Sequence, residues 1–154
     1  MIYNVKSNLL VLSMTQVIIK HRFVGLFPRD DWNNPKRHIS ALVKGGKVVA
    51  YGESSLGGRP YCTATRGRSC HSEMSVLKYI GTELNNKRKV SKYTIWNARW
   101  TRNGDLVNSK PCLHCQQVLL RVGIKNIVFS TSAGVFVKTK LALLDCQLSS
   151  GFRY

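Results

Sequence analysis

The sequence Cys70-His71-Ser72-Glu73, together with Ser109-Lys110-Pro111-Cys112-Leu113-His114-Cys115, decides how this chain can fold. The pattern is His-x-Glu followed, after a gap, by Pro-Cys-x-x-Cys. Histidine and cysteine are common zinc ligands, and a neighbouring glutamate can act as a general acid and base. Zinc sites with three protein ligands and one open position are typically catalytic, whereas sites with four protein ligands are structural. His71, Cys112 and Cys115 therefore predict a catalytic zinc site, with Glu73 beside it.

Each half of this pattern opens a predicted helix. Apolar residues recur at helical spacing from His71 to Leu84, which predicts a helix there. A second helix is expected from about Pro111 to Val122, because Ser109 can cap it and proline is tolerated in a first turn. Gly123 suits the position just after the last helical residue. The candidate zinc ligands would thus lie at helix N-termini.

Cys112 and Cys115 are spaced so that they share one face of a helix. In the first turn, the helix dipole and the free amide groups stabilise thiolates. If the two predicted helices lie side by side on a sheet with their N-termini together, His71 and both cysteines converge on one ion. One coordination position then remains for water.

The other strong signals predict β-strands. The runs His38 to Lys44 and Lys47 to Tyr51 flank Gly45-Gly46, and a two-glycine connection suits the primed turn of a β-hairpin. The runs Tyr93 to Trp100 and Lys125 to Ser130 are rich in β-branched and aromatic residues. A strand, a helix and a strand in this order predict a parallel pair joined by a right-handed crossover.

Weaker signals come from the remaining segments. They predict a helix from Asn8 to Val24, a loop from Phe27 to Arg37, a polar and glycine-rich segment from Gly52 to Ser69, a polar connection from Asn85 to Lys92, a hairpin-like excursion from Thr101 to Asn108, and a strand or short helix from Val135 to Leu144.

The composition indicates a basic globular protein. The chain has 154 residues, which is enough for a single domain with its own core. It contains 24 Lys and Arg against 7 Asp and Glu, for a formal net charge of +17. Such an excess favours an anionic substrate or partner, such as a nucleotide or a single-stranded nucleic acid bound through the basic surface. A basic surface without a specific partner is the alternative.

The cysteines indicate a reducing compartment. There are five, and the odd number and the close Cys112/Cys115 pair argue against a secreted disulfide framework and for metal binding. The apolar run from Asn8 to Lys20 is too short and too polar to span a bilayer. We therefore expect a cytoplasmic protein without a membrane-spanning segment.

The combined pattern resembles the cytidine/deoxycytidylate deaminase superfamily of zinc-dependent enzymes. The resemblance covers roughly His38 to Ser130: hairpin, His-x-Glu helix, strand, Pro-Cys-x-x-Cys helix, strand. It implies that His71, Cys112 and Cys115 bind Zn2+ and that Glu73 shuttles a proton. It also implies a three-layer α/β/α fold with a mixed sheet of about five strands. The resemblance further implies that the whole chain, residues 1–154, is one zinc-dependent deaminase domain. It also suggests a homo-oligomer.

The implied activity is hydrolytic deamination of a cytosine base in a nucleoside or nucleotide, in which zinc hydroxide attacks C4. Deamination of cytosine or adenine in single-stranded DNA, RNA or tRNA is an alternative, and the +17 charge favours it. A further alternative is a zinc-stabilised nucleic-acid-binding module without catalysis, in which Cys70, Cys62 or His114 would supply a fourth ligand.

Departures from the family pattern concern the substrate. Ser72 stands where alanine is usual, although its backbone N–H can still donate to a bound base. Ser54 is the nearest residue to the position at which many members carry an asparagine that holds the sugar. The gap between His71 and Cys112 is longer than in many relatives, and the excess falls around Asn103-Gly104.

Four further residues are candidates for substrate binding. Arg66 and Arg68 adjoin the zinc motif and could bind phosphate. Arg99 and Trp100 end a strand that leads towards the second motif. They could bind phosphate and stack on a base, or they could serve only to pack the strand.

Overall fold

The computed structural model describes residues 38–56, 69–101 and 105–148 of the chain. The elements in these ranges are β1 (His38–Lys44), β2 (Lys47–Glu53), β3 (Ser55–Leu56), β4 (Ser69–Cys70), α1 (Ser72–Leu77), a 3-10 helix (Lys78–Glu83), α2 (Lys87–Val90), β5 (Tyr93–Trp100), β6 (Leu106–Val107), α3 (Leu113–Val122), β7 (Asn126–Ser130), β8 (Phe136–Lys140) and a 3-10 helix (Leu141–Leu143). The helix predicted over residues 8–24 and the loop predicted over residues 27–37 lie outside these ranges.

A mixed sheet forms the centre of the described residues. Its order is β2-β1-β5-β7-β8, and the short β6 also pairs with β5. The β5/β7 pair is parallel, whereas β1 is antiparallel to both β2 and β5, and β7 is antiparallel to β8. The predicted α/β class, the mixed sheet and the parallel pair joined through the second helix are confirmed.

The predicted hairpin between β1 and β2 is also confirmed. Gly45 and Gly46 both have positive φ, at 57° and 76°, as a primed turn requires. β2 continues to Glu53, beyond its predicted end at Tyr51, and Gly52 pairs with Ser40 of β1.

The core consists of two clusters on opposite faces of the sheet, as the alternation of side chains along strands requires. One face packs against α1 and α3, and its cluster includes Leu42, Met74, Val76, Leu77, Ile95, Leu119, Ile127 and Phe129. The cluster on the other face contains Ile39, Ala41, Val43, Trp96, Ala98, Trp100, Val128 and Phe136. A helix against this second face is not among the described residues. Nor is any described helix both long and apolar enough to cross a bilayer.

The helix predicted from His71 to Leu84 is present, but it changes from an α-helix to a 3-10 helix in its second half. α1 ends at Leu77, and a 3-10 segment follows with non-helical dihedral angles at Ile80 (φ −114°, ψ 24°). Ile80 is buried while Lys78 and Tyr79 are exposed, so the break accompanies the turn of this side chain into the core.

The polar connection predicted from Asn85 to Lys92 contains a short helix instead. The side chain of Asn86 caps α2 by accepting a hydrogen bond from the backbone N–H of Lys89 at 3.1 Å. Val90 is fully buried at the end of this helix. One apolar residue in a basic segment gives no periodicity, which is why the sequence did not reveal α2.

α3 begins later than predicted, at Leu113, and Cys112 rather than Ser109 is its N-cap. Ser109 is buried and bonds instead to the backbone of Asn97 and to Ser130. Gly123 ends the helix in the left-handed conformation, with φ 112°, as predicted. The undecided segment Val135 to Leu144 contains both β8 and the final 3-10 helix.

Candidate active site

Three metal-binding side chains converge where α1 and α3 begin. His71 is the N-cap of α1, and Cys112 is the N-cap of α3. The Nδ1 atom of His71 lies 3.5 Å from Sγ of Cys112 and 3.3 Å from Sγ of Cys115. All three ligand atoms lie within 4.8 Å of one another. The predicted convergence of the three ligands is therefore present.

This cluster suits zinc. Zn–S bonds of about 2.3 Å and Zn–N bonds of about 2.0 Å place a sulfur and a nitrogen about 3.5 Å apart in a tetrahedral site. The observed His71–Cys separations of 3.3 and 3.5 Å match this value. Among the described residues the cluster has three members, and His114 is not one of them. Cys62 lies outside the described ranges, as does the side chain of Cys70.

A mutual hydrogen bond shifts the pKa values of the two thiols of the cluster. The hydrogen bond with Cys115 lowers the pKa of Cys112 to about 5, against the opposing effect of burial. The same hydrogen bond, together with burial, raises the pKa of Cys115. Burial lowers the pKa of His71, but the hydrogen bond to Cys112 and the charge of Glu73 outweigh it, so this pKa is raised. Cys112 is thus a thiolate at neutral pH, and a thiolate is the form that binds metal.

Glu73 follows this cluster on the first turn of α1 and is only 1% exposed. Its Oε1 accepts a hydrogen bond of 2.8 Å from Nδ2 of Asn97. Its Oε2 lies 3.4 Å from Oγ of Ser72. A buried carboxylate next to three metal ligands is placed where a general acid and base could act.

Asn97 and Ser40 complete a polar network that the sequence analysis missed. Both are fully buried, on the neighbouring strands β5 and β1. Oγ of Ser40 donates to Oδ1 of Asn97 at 2.7 Å and also lies 2.7 Å from Oγ of Ser72. The available signal was their position: each is a polar residue at a core-facing position of an otherwise apolar strand, and such departures often mark functional sites.

His38 is a second residue that the sequence analysis did not single out. Its Nε2 is buried, has no hydrogen-bond partner among the described residues, and lies 3.9 Å from Oε1 of Glu73. Burial lowers the pKa of His38, and the positive charges of His71 and Arg99 add to this, whereas Glu73 opposes it. The imidazole is therefore predominantly neutral at pH 7.

The predicted substrate-binding residues differ in their burial and in the face of the sheet on which they lie. Ser54 is half-buried, and its backbone N–H donates to the carbonyl of His38 at 3.4 Å. Arg99 is exposed and pairs across the sheet with His38. Trp100 is 3% exposed in the core cluster of the opposite face, which favours the packing alternative. Ser72 is fully buried. Arg66 and Arg68 lie outside the described residues.

The order of elements and the His/Cys/Cys cluster are those that the resemblance to cytidine and deoxycytidylate deaminases implied. No protein-family model and no curated protein matches the chain. Among solved structures, the chain is similar to the dCMP deaminase from the cyanophage S-TIM5 in its apo form. The similarity covers 72% of this chain and 81% of that chain, with 15% sequence identity and a TM-score of 0.42.

Proposed function

We propose that the protein is a zinc-dependent hydrolytic deaminase that converts a cytosine base of a nucleoside or nucleotide into uracil. The observation that carries this proposal is the convergence of His71, Cys112 and Cys115 beside the buried carboxylate of Glu73. A purely structural zinc site would not need a buried acidic side chain next to its ligands, and burying such a group costs free energy.

The proposed reaction assigns separate roles to the zinc ligands, to Glu73 and to the residues that contact the substrate. His71, Cys112 and Cys115 hold the zinc, which supplies Lewis acidity and makes water nucleophilic near neutral pH. Glu73 moves protons between water, the base and the departing ammonia. Ser54 and Arg99, which flank His38 at the ends of β2 and β5, are the described candidates for contacts to the sugar and phosphate.

A substrate panel tests this proposal. Zinc-loaded protein would be incubated with cytidine, deoxycytidine, their monophosphates, adenine and guanine nucleosides, and single-stranded DNA and RNA. Conversion would be followed by ammonia release and by the mass of the product. We expect cytosine mononucleosides or mononucleotides to react. If zinc-loaded protein converts no member of the panel, the proposed function is wrong.

Glu73→Gln is the matched control, because it keeps the size of the side chain and removes its basicity. We expect this variant to keep its zinc and to lose turnover by about 10²- to 10⁴-fold, the usual contribution of general acid–base catalysis. Undiminished turnover by Glu73→Gln would remove this residue from the mechanism.

A polynucleotide substrate is the second candidate, and the charge distribution supports it. Lys87, Arg88 and Lys125 line a cavity of about 460 Å³ next to Gly123, where α3 ends. All three are exposed, and none forms an ion pair with an acidic group of the described residues. A helix of ten residues spans about 15 Å, so this basic cavity lies at the far end of α3 from the zinc ligands.

Salt dependence separates the two substrate classes. Binding of a polynucleotide through several phosphates weakens steeply with salt, because counterions are released on binding. Turnover of a mononucleotide should vary much less. If single-stranded DNA or RNA is deaminated with a steep salt dependence that Lys87→Gln/Arg88→Gln reduces, the polynucleotide proposal is supported. If the rate at which single-stranded DNA or RNA is deaminated does not change with salt, the polynucleotide proposal is wrong.

A further inference from the structure

We propose that Asn97 is a positioning residue that anchors one oxygen of Glu73, and that Ser40 fixes the direction of the Asn97 amide. Oε1 of Glu73 is then held, and Oε2 remains available to exchange a proton. The consequence for catalysis rests on the proposed function, whereas the hydrogen-bond arrangement itself does not.

The direction of the amide follows from its partners. Nδ2 of Asn97 lies 2.8 Å from Oε1 of Glu73 and 3.3 Å from the carbonyl oxygen of Ser109. Both of these groups accept hydrogen bonds and cannot donate them when Glu73 is ionised. Oδ1 of Asn97 faces the hydroxyl of Ser40 at 2.7 Å, which can donate. The flipped amide would set an oxygen against two oxygens, so only one orientation is compatible with this network.

The hydrogen-bond partners also decide which acceptor each serine hydroxyl donates to. Ser40 has one hydroxyl proton, and it goes to Asn97. In the 2.7 Å contact between the two hydroxyls, Ser72 must therefore be the donor. Its single proton is then used, and the longer contact of 3.4 Å to Oε2 of Glu73 receives none. The two oxygens of the carboxylate are thus inequivalent.

Burial makes this arrangement specific. Ser40, Ser72 and Asn97 are fully buried, and Glu73 is 1% exposed. In such surroundings hydrogen bonds are stronger than in water, and a misdirected donor is costly. Ser40 and Asn97 are also directly paired in the β1/β5 ladder, so the sheet holds the anchor rigidly against α1.

Asn97→Asp tests the positioning role. The substitution keeps the shape of the side chain but places a second carboxyl beside Glu73. Two adjacent buried carboxyls share one proton, so the proton that Glu73 must exchange is held between them. We expect kcat to fall about a hundredfold, as is typical when a catalytic group is misplaced, while KM and zinc content change little. Ser40→Ala should cause a smaller fall in kcat, because the amide is retained but loses its fixed direction.

Tyr93→Phe is the structural control. Tyr93 is buried at the start of β5, and its hydroxyl donates to Oε2 of Glu83 at 2.7 Å rather than to any member of the Glu73 network. This variant should lower stability and leave kcat unchanged. Equal falls in kcat in Ser40→Ala and Tyr93→Phe would indicate a general loss of stability and would contradict the proposal.

A measurement without turnover tests the hydrogen bond itself. In protein labelled with ¹⁵N at asparagine, the side-chain amide of Asn97 is identified by its absence in Asn97→Asp. We expect slow exchange of these protons with solvent and a clear shift in Glu73→Gln, because the acceptor changes from a carboxyl oxygen to a carboxamide group. If the amide exchanges rapidly and does not respond to Glu73→Gln, the proposal is overturned.

The two readouts separate the possible failures. If no substrate reacts but the amide responds to Glu73→Gln, the proposed function fails and the anchor stands. If substrates react and Asn97→Asp keeps the wild-type kcat, the positioning role is wrong. If Asn97→Asp does not fold, kcat of Ser40→Ala relative to that of the structural control decides.

Discussion

At the scale of single residues, Cys112 combines two tasks. Its sulfur accepts a hydrogen bond from the backbone N–H of Cys115 at 3.4 Å and so caps α3, and it also belongs to the metal cluster. Nδ1 of His71 lies 3.5 Å from this sulfur and 3.3 Å from Sγ of Cys115, so the local conformation of the cap helps to assemble the site.

Cys112→Ser separates these two tasks, because serine is a good N-cap but a poor zinc ligand. We expect the variant to keep α3 folded and to lose its zinc after dialysis against a chelator, as measured by elemental analysis. Cys146→Ser is the control, since Cys146 is not part of the cluster. Equal zinc retention in both variants would contradict the assignment of Cys112.

His38 should make stability depend on pH. Burial lowers its pKa below the ordinary value of 6.5, so the unfolded chain binds a proton more readily than the folded one. The stabilising contribution is therefore complete above pH 6.5 and is lost as pH falls through the folded-state pKa.

The measurement is urea unfolding at a series of pH values for wild type and His38→Gln. As pH falls below 6.5, the free energy of unfolding of the wild type should decrease relative to that of the variant, which cannot titrate at this position. A difference between the two proteins that stays constant with pH would contradict this prediction.

At the scale of elements, the packing of α1 on β2 depends on Gly52. A Cβ atom at this position would lie 2.5 Å from the backbone nitrogen of Val76 and 2.8 Å from the carbonyl oxygen of Ser72. Backbone atoms cannot move aside as a flexible side chain can. The absence of a side chain at Gly52 thus allows α1 to lie close enough to the sheet for Glu73 to reach Asn97.

Gly52→Ala should therefore displace α1. We expect a loss of about 1–3 kcal/mol in the free energy of unfolding, as for other overpacked sites, together with weaker zinc binding. Gly81→Ala is the matched control, because a Cβ there would meet nothing within 4 Å. Unfolding in urea and competition for zinc with a chelator measure the two effects. Similar stabilities of the two variants would contradict the close packing.

At the scale of the whole molecule, the net charge of +17 opposes the compact state through repulsion between like charges. The consecutive cations Lys87, Arg88 and Lys89 in α2 are all exposed. Salt screens such exposed charges, with a Debye length of about 10 Å at about 0.1 M.

We therefore expect added sodium chloride to increase the free energy of unfolding, measured with urea because urea is uncharged. The variant Lys87→Gln/Arg88→Gln/Lys89→Gln should be more stable at low salt and respond less to salt. If the free energy of unfolding of the wild type falls or stays constant as salt is added, repulsion between like charges does not destabilise the fold significantly.

The sequence was sufficient for the features that depend on local chemistry. The glycine pair determines the β1/β2 turn, the runs rich in β-branched and aromatic residues predict the strands β5 and β7, and Gly123 determines the end of α3. The metal ligands were also predictable, because His71, Cys112 and Cys115 are uncommon side chains at recognisable spacings, each close to the start of a helix. These features depend on residues near each other along the chain.

Only the tertiary structure decided which distant residues surround the predicted site. Asn97 and Ser40 are ordinary polar residues in the sequence, and they become anchors for Glu73 because the β1/β5 register places them side by side beneath α1. Because side chains alternate between the two faces along β5, Trp100 lies in the core cluster on the opposite face of the sheet. α2 was missed because its one buried residue, Val90, is stabilised by contacts between elements. Local preferences cannot specify such contacts, since they arise only when strands pair and helices pack.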